Sequence, residues 1–247
     1  MNVLRYFFFT FVIFLIAFAA HASENVCHSL SRGEFDLEIL DGKNNITYDF
    51  EQSAKDITNI QKQNDLNYSG LKGDSFYNQS GLVLTGNNMG LTVGTFQYLL
   101  YLTPYFENIG TGRYCPGVKR ICVKFMYDSK IYIAKEYTGN QCAFNKIMNH
   151  EMEHHKTNVR NKQKYIGWLR KDMVAVANSI VEKYQPINEE DIGLASDSLQ
   201  AELKDAIDAY IYKMQVDTNR ENQKLDMTSE YLRLTREIKK CYKPSDR

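Results

Sequence analysis

Hydrophobic and polar residues alternate along the first part of this chain and follow a longer period in the second part. In the first part, short alternating stretches occur at Phe35–Leu40 and Ile46–Phe50, and a run with strand-forming composition covers Leu91–Leu102. Alternation at every second residue places side chains on opposite faces of an extended chain. This pattern predicts β-strands in all three stretches.

A β-hairpin is predicted near Asp128. Four apolar residues at every second position indicate one face of a strand: Ile121, Val123, Phe125 and Tyr127. Asp128 and Ser129, which follow, are residue types that favour turns. The sequence therefore predicts that the strand turns at Asp128–Ser129 and returns through Lys130–Ala134.

Beyond Asn140 the apolar residues step by three or four positions, the spacing of one face of an α-helix. The first stripe comprises Leu169, Met173, Val176 and Ile180, and the second comprises Leu199, Leu203, Ile207, Tyr210 and Met214. Pro186 lies in the polar segment between them, so we expect two long helices joined there as an antiparallel hairpin. A shorter helix is expected at Thr228–Lys240.

These patterns together predict an α+β fold. We expect an N-terminal β-rich part with a hairpin, followed by a long antiparallel helical hairpin and a short C-terminal helix. The expected divisions are residues 1–22, residues 23–138 for the β-rich region and residues 139–247 for the helical region.

Composition and charge exclude several functional classes. The chain has 247 residues, of which 43% are hydrophobic, enough for one large domain or two small ones and too many for a disordered chain. Its 30 Lys and Arg balance 30 Asp and Glu, so no overall field attracts polyanions, and nucleic acid is not expected as a partner. None of the 14 glycines lies in a phosphate-binding loop pattern.

The first 22 residues resemble a signal peptide in pattern. Met1–Arg5 carries one positive charge, Tyr6–Ala20 is almost entirely apolar, and Ala20-His21-Ala22 has the small-x-small pattern of a signal-peptidase site. An uncleaved membrane anchor is the alternative, but the apolar run is shorter than the roughly 20 residues that span a bilayer. We expect cleavage before Ser23, no stable membrane span afterwards, and a periplasmic or secreted mature protein.

Export would favour disulfides among the five cysteines. Cys115 and Cys122 lie close enough in the chain for a local bridge. If the long helices fold back near Ile187, Cys142 and Cys241 approach each other, and we expect a second bridge there. Cys27 is then the unpaired residue. No Cys-x-x-Cys pair occurs, which disfavours a cysteine-ligated zinc site.

A metal-binding motif lies near the start of the first long helix. His150-Glu151-Met152-Glu153-His154 matches His-Glu-x-x-His, in which two histidines four residues apart share one helix face and can bind one ion. Neutral imidazole suits Zn²⁺, and Glu151 would accept a proton from a zinc-activated water. The alternative is an ordinary solvated helix face with Glu151, Glu153 and Lys156 as its charges. His155 points about 100° away from His154 and is not expected to join the cluster.

At these residues the chain resembles the zincin metallopeptidases. More narrowly, Ile131–Ala134, Cys142, Asn145 and the motif at 150–154 are similar to a group of exported bacterial proteins described as zinc-dependent proteases. The resemblance covers about the last half of the chain. It implies a helix that carries two metal ligands and the general base, beside a sheet whose edge strand binds an extended peptide. The chain lacks the downstream third histidine and the Asn-Glu-x-x-x-Asp segment of better-known subfamilies.

The third metal ligand is expected on the returning helix. A fold-back at Ile187 places residue 222 level with the two histidines, and acidic residues cluster there: Asp217, Glu221, Asp226 and Glu230. The apolar stripe that ends at Met214 continues through Asp217 and Glu221, so we expect carboxylates on a buried face. We favour Asp226, where the helix should break, and the resembling proteins carry an Asp and a Tyr at the positions of Asp226 and Tyr231. Glu221 and Glu230 are the alternatives, and Asp226 could instead cap a helix.

The function expected from these residues is an exported zinc-dependent hydrolase, a metallopeptidase with a peptide or protein substrate. His150, His154 and Asp226 would bind Zn²⁺, and Glu151 would be the general base. The alternative is a non-catalytic envelope or binding protein with a structural metal site or none. A third reading, an inhibitor or chaperone of an exported partner, has no sequence feature of its own.

Overall fold

The computed structural model of the chain describes residues 27, 35–68, 75–84 and 87–242. The signal peptide predicted at residues 1–22 lies outside these residues. The strands are β1 (Asp36–Asp49), β2 (Ser75–Leu84), β3 (Asn87–Gly110), β4 (Arg113–Ile133) and β5 (Ile187–Asn188). The helices are α1 (Ala54–Tyr68), α2 (Gln141–Val181), α3 (Ile192–Leu225) and α4 (Thr228–Lys240). Strands β1 to β4 precede the long helices, which confirms the α+β class.

The strands form one sheet in the order β1, β4, β3, β2, with β5 paired to β4. β2 and β3 are antiparallel, and their register shifts between Leu82 and Val83. β5 is only two residues long and adds to the start of β4, where Ile187 lies opposite Tyr114. The connection between the two long helices is therefore part of the sheet, which the polar composition around Pro186 did not indicate.

The predicted turn at Asp128–Ser129 is wrong, because β4 continues through these residues to Ile133. Ser129 lies on the buried face between Tyr127 and Ile131, and Asp128 accepts a hydrogen bond from Asn45 of β1 at 2.6 Å. The chain turns instead between β3 and β4, where three successive residues have positive φ: Gly110 (93°), Thr111 (54°) and Gly112 (69°). Glycine adopts this conformation at little cost, whereas the predicted turn at Asp128–Ser129 contains no glycine.

Helix α1 was not predicted within the β-rich region. Ser53 and Asp56 bond reciprocally at its start, since the Ser53 amide donates to Asp56 Oδ2 at 3.2 Å and the Asp56 amide donates to Ser53 Oγ at 3.2 Å. This is a capping-box arrangement, with Asp in place of the usual Glu. Ile57 is fully buried against Leu91 and Ala134. Ser53-x-x-Asp56 was the signal that a strand-based interpretation overlooked.

The chain divides into two compact units, each built from three segments. The first comprises Met1–Glu38, Leu100–Cys122 and Arg170–Ala206, and the second comprises Ile39–Leu99, Val123–Leu169 and Ile207–Arg247. In the first unit, Tyr184 donates a hydrogen bond to Glu202 at 3.0 Å, and Arg113 donates one to the Pro186 carbonyl. The predicted motif and all four acidic candidates belong to the second unit.

Helices cover both faces of the sheet in the second unit. On one face, β3 and β4 pack against α2 and α4 through a buried cluster: Met89, Ile131, Ile133, Ala143, Ile147, Leu234 and Ile238. On the other face, Tyr132 packs with Ile57 of α1. Residues 131, 132 and 133 alternate between the faces, as expected for a strand. Burial of each large aliphatic side chain contributes about 1.5–3 kcal/mol, so this cluster fixes where α2 lies.

Within the second unit, α2 and α3 run antiparallel. Tyr165 donates to Asp217 at 2.5 Å, Asn161 donates to Glu221 at 3.1 Å, and Asn222 donates to Asn158 at 2.8 Å. Across these three pairs the residue numbers rise along α3 as they fall along α2, so the two helices run in opposite directions. This register brings the end of α3 beside the start of α2.

Helix α4 has the predicted bounds and is tied to α2 by a disulfide. Cys142 and Cys241 are bonded, with their Cα atoms 5.6 Å apart, which confirms this predicted pair. Asn140 Nδ2 donates to the Cys241 carbonyl at 3.1 Å, and Lys146 Nζ lies 3.1 Å from Glu237 Oε2. These contacts hold α4 along the first turns of α2.

The other predicted pairing of cysteines is wrong. Cys115 is bonded to Cys27, and Cys122 is the free cysteine. Cys115 and Cys122 both lie in β4. Seven residues of extended strand keep the two cysteines too far apart for a disulfide, which a turn between them would have allowed. Two disulfides are typical of a protein that folds outside the reducing cytosol. Within the described ranges, no helix combines the length and the apolar character that a bilayer crossing requires.

We expect the double variant Cys142→Ser, Cys241→Ser to lower the free energy of unfolding by up to about 4–5 kcal/mol, because the bridge closes a long loop. The two cysteines are separated by 99 positions. Urea unfolding followed by circular dichroism measures the change. The control is Cys122→Ser, which removes a free thiol and should change stability by less than about 0.5 kcal/mol. Equal stability of the double variant and the unmodified chain would contradict the expectation.

Candidate metal centre

The two histidines of the motif project from one face of α2. His150 Nε2 and His154 Nε2 are 3.1 Å apart, and the ring centroids are separated by 4.8 Å. The His154 side chain is completely buried, whereas the His150 side chain is 13% exposed. The pair is thus reached from solvent only on the His150 side.

Asp226 completes the cluster from the break between α3 and α4. Its Oδ1 atom lies 3.1 Å from His150 Nε2 and 3.1 Å from His154 Nε2. The N-cap residue of α4 is Met227, which directly precedes the helix, and no side chain caps that helix. Asp226 therefore points its carboxylate at the histidines, and the alternative that it caps a helix does not hold.

The surroundings of Asp226 favour its ionised form. Burial acts to raise the pKa of this carboxyl, but its contacts with the rings of His150 and His154 outweigh burial and lower the pKa below its usual value. The cluster thus presents an anionic oxygen between two imidazole nitrogens.

Glu151 lies on the side of α2 that faces the sheet and is completely buried. Thr92 of β3 places its hydroxyl 2.8 Å from Glu151 Oε2 and 3.0 Å from the Glu151 carbonyl. The other carboxyl oxygen, Oε1, has no hydrogen-bond partner among the described residues. Gly90 leaves room for it, because a Cβ atom at residue 90 would lie 2.6 Å from Oε1. An unpartnered buried oxygen costs about 1–3 kcal/mol.

Burial raises the pKa of Glu151 to about 8, although nearby His150 and the Thr92 hydroxyl act in the opposite direction. The negative charge of Asp226 adds to the increase. A carboxyl group in this environment can exchange a proton near neutral pH. Thr92 contacts one oxygen of this carboxyl, and the other has no partner among the residues that the structure describes.

A cavity of about 320 Å³ opens beside His150, between α2 and α4. It is lined by Lys146, Asn149, His150, Glu153, Leu225, Glu230, Arg233, Leu234 and Glu237. Several of the charged residues are paired across or along its wall, including Lys146 with Glu237 and Arg233 with Glu230. The cavity is large enough for one or two amino-acid side chains and borders the exposed side of the cluster.

The spacing of the three donor atoms is compatible with zinc. When tetrahedral zinc has bonds of about 2.0–2.1 Å, neighbouring ligand atoms are about 3.3–3.4 Å apart, and here each pair is 3.1 Å apart. Two imidazoles and one carboxylate form a donor set that zinc uses in catalytic sites. Among the described residues this is the group of His, Cys, Asp and Glu side chains whose ligand atoms lie close enough together to hold a metal ion.

The structure thus brings together the four residues singled out in the sequence: His150, Glu151, His154 and Asp226. Their roles as ligands and base remain predictions. The expectation that Asp217 and Glu221 lie on the buried face of α3 is wrong. Beyond Met214 the buried positions are Thr218 and Asn222, because the stripe steps by four residues there and not by three.

The alternative ligands all bond elsewhere. Glu221 accepts from Asn161, Asp217 from Tyr165 and Glu230 from Arg233. His155 also stays outside the cluster, with Nδ1 2.8 Å from Ser129 Oγ.

Sequence reasoning missed the residues that support the site, above all Thr92, Asn158 and Asn222. Asn158 follows His154 by four positions, and Asn222 precedes Asp226 by four positions. One helical turn separates each pair, so each asparagine shares a face with the neighbouring candidate ligand. Polar residues on a face that is otherwise apolar were the signal. Thr92 could not be found in this way, since its contact depends on how α2 lies on the sheet.

Comparison of this chain with protein-family models, curated proteins and solved structures produced no match.

Proposed function

We propose that this protein is a zinc-dependent hydrolase that acts on peptide bonds. The observation that carries the proposal is the triangle of His150, His154 and Asp226, with equal spacings of 3.1 Å, beside buried Glu151, whose Oε1 atom has no hydrogen-bond partner within the described part of the chain. The triangle provides the ligands and the glutamate provides a proton acceptor.

Each residue has a distinct task in this proposal. His150, His154 and Asp226 hold the ion, which when bound supplies a Lewis acid that polarises a carbonyl and makes water a stronger nucleophile. Glu151 accepts a proton from the attacking water through Oε1 and delivers it to the leaving amine. Thr92 orients Glu151 through the contact to Oε2.

The cavity between α2 and α4 would receive the substrate. It reaches His150, the more exposed of the two histidines, and the Asp226 side chain is also 26% exposed. A substrate residue beside the scissile bond can enter there while His154 and Glu151 remain shielded from bulk water. Exclusion of water strengthens the electrostatic interactions of a buried site.

A purely structural metal site is a weaker interpretation. Structural zinc sites have four protein ligands, whereas catalytic sites have three and leave one position for water or substrate. The candidate group in the described part of the chain has three members. A structural site would also gain nothing from a buried carboxylate with an unpartnered oxygen, which is costly to maintain.

We expect Glu151→Gln to retain zinc and to lower hydrolysis about 100-fold or more, because glutamine keeps the shape of the side chain but cannot accept the proton. Metal analysis of the purified mature protein gives the zinc content, and a library of quenched fluorescent peptides gives the rate. Glu190→Gln, an exposed substitution in the connection between α2 and α3, is the control. An active Glu151→Gln variant would refute the catalytic role, and loss of zinc would make Glu151 a ligand or the support of one.

We expect Asp226→Ala and His154→Ala to weaken zinc affinity by about two orders of magnitude or more, because each removes a ligand atom. Competition with a chromophoric chelator measures the affinity, and circular dichroism verifies the fold. The matched control is Glu221→Ala on the same helix end, which should bind zinc normally. Unchanged affinity in Asp226→Ala together with a loss in Glu221→Ala would transfer the third ligand to Glu221.

Filling the cavity should separate substrate binding from metal binding. Asn149→Trp places a large side chain in the cavity, so hydrolysis should fall about tenfold or more while zinc affinity stays unchanged. Asn145→Trp introduces the same residue one turn earlier, at an exposed position outside the lining, and should leave hydrolysis unchanged. If both variants hydrolyse peptides at the unmodified rate, the substrate does not use this cavity.

A further inference from the structure

A continuous chain of buried side chains leads away from His154. His154 Nδ1 lies 3.0 Å from Asn222 Oδ1, Asn222 Nδ2 donates to Asn158 Oδ1 at 2.8 Å, and Asn158 Nδ2 donates to Tyr127 Oη at 2.6 Å. All four side chains belong to residues that are at most 3% exposed. This series of hydrogen bonds joins α2, α3 and β4 behind the candidate metal ligand.

The direction of these hydrogen bonds determines which nitrogen of His154 carries the proton. Asn222 presents its carbonyl oxygen to Nδ1, so Nδ1 must be the donor, and the neutral ring then has a lone pair at Nε2. Nε2 is the atom that faces His150 and Asp226. A metal ligand requires this tautomer, because a protonated Nε2 cannot coordinate an ion.

The far end of this series is the Tyr127 hydroxyl, whose oxygen accepts from Asn158 Nδ2 at 2.6 Å. To reverse the direction of these hydrogen bonds, both asparagine amides would have to turn over and the Tyr127 hydroxyl proton would have to move, all within a closely packed interior.

Packing holds Tyr127 in position for this role. Its ring stacks on Phe96 with centroids 4.7 Å apart. Gly94 provides space for the hydroxyl, since a Cβ atom at residue 94 would lie 2.5 Å from Tyr127 Oη. The acceptor at the end of the two amides is thus fixed by the sheet and not by a mobile side chain.

We propose that Asn222, Asn158 and Tyr127 are positioning residues that hold His154 in the Nδ1-protonated tautomer and so prepare Nε2 to bind the metal. The role in metal binding rests on the proposed function. The competing interpretation is that these polar groups only satisfy one another where α2 packs on α3. That structural role would affect stability but would affect neither the tautomer nor the affinity for zinc.

The tautomer is measured directly in the metal-free mature chain by two-dimensional NMR of ¹⁵N-labelled histidine side chains, at about pH 8, above the usual histidine pKa. We expect His154 to be protonated at Nδ1, with its resonance assigned by loss in His154→Ala. A His154 ring protonated at Nε2 in the unmodified chain would overturn the proposal. This measurement needs neither zinc nor activity, so it distinguishes failure of the positioning role from failure of the proposed function.

Substitutions then test the consequence for metal affinity. Asn222→Leu removes the acceptor and should weaken zinc binding about 10–100-fold, as loss of a hydrogen-bond partner behind a ligating histidine does. Asn222→Asp restores an acceptor for Nδ1 and should recover most of the affinity. Tyr127→Phe removes the acceptor for Asn158 and should have a smaller effect in the same direction.

The matched control is Asn161→Leu. Asn161 is equally buried on α2, one turn from Asn158, but its side chain donates to Glu221 and not to the series of hydrogen bonds that ends at His154. It should lose stability in urea as Asn222→Leu does and yet retain zinc affinity. If both leucine variants bind zinc like the unmodified chain, or if Asn222→Asp binds no better than Asn222→Leu, the positioning role is refuted.

Discussion

The site depends on one constraint: an aspartate at the end of α3 must reach two histidine nitrogens near the start of α2. A single carboxylate oxygen lies at the same distance, 3.1 Å, from both. This arrangement exists only because α2 and α3 run antiparallel in register and because α3 ends at Leu225, one residue before Asp226. The break between α3 and α4 is thus as important to the site as the motif itself.

Several buried polar groups near this point would each be destabilising alone, and the fold satisfies them in pairs. Thr92 hydrogen-bonds Glu151, and Asn222 hydrogen-bonds His154. Asn158 links Asn222 to Tyr127 by a hydrogen bond to each. Glu151 Oε1 is not satisfied in this way, and neither are Asn88 Oδ1 and Thr235 Oγ1: these three buried side-chain oxygens have no hydrogen-bond partner among the described residues. Glu151 differs from the other two in lying beside the candidate metal ligands, and a buried polar atom without a partner at such a place calls for an explanation.

The sequence was informative where apolar residues recurred with the period of a helix and where residue types with distinctive chemistry stood at a defined spacing. The motif at 150–154, the helix at Thr228–Lys240 and the pair Cys142–Cys241 could be inferred from spacing and an assumed fold-back. The same fold-back gave four acidic candidates for the third ligand, and Asp226 was favoured among them because of the expected helix break and the resemblance to exported proteases. The strands were less predictable, because Asp128–Ser129 looks like a turn unless the contacts of β1 with Asp128 and Ser129 are known. Thr92 and Gly90 were out of reach, since only the packing of α2 on β3 brings them to Glu151.

The position of Asp226 in the chain also sets the order in which the site can form during synthesis. A growing chain contains His150, Glu151 and His154 well before Asp226 is added, and the bridge that secures α4 needs Cys241, which comes later still. Until Asp226 has been added, the chain carries two histidines and a glutamate without the carboxylate that contacts both rings. The candidate metal centre thus cannot be complete in a nascent chain that has not reached Asp226, and the bridge that secures α4 closes only where thiols are oxidised.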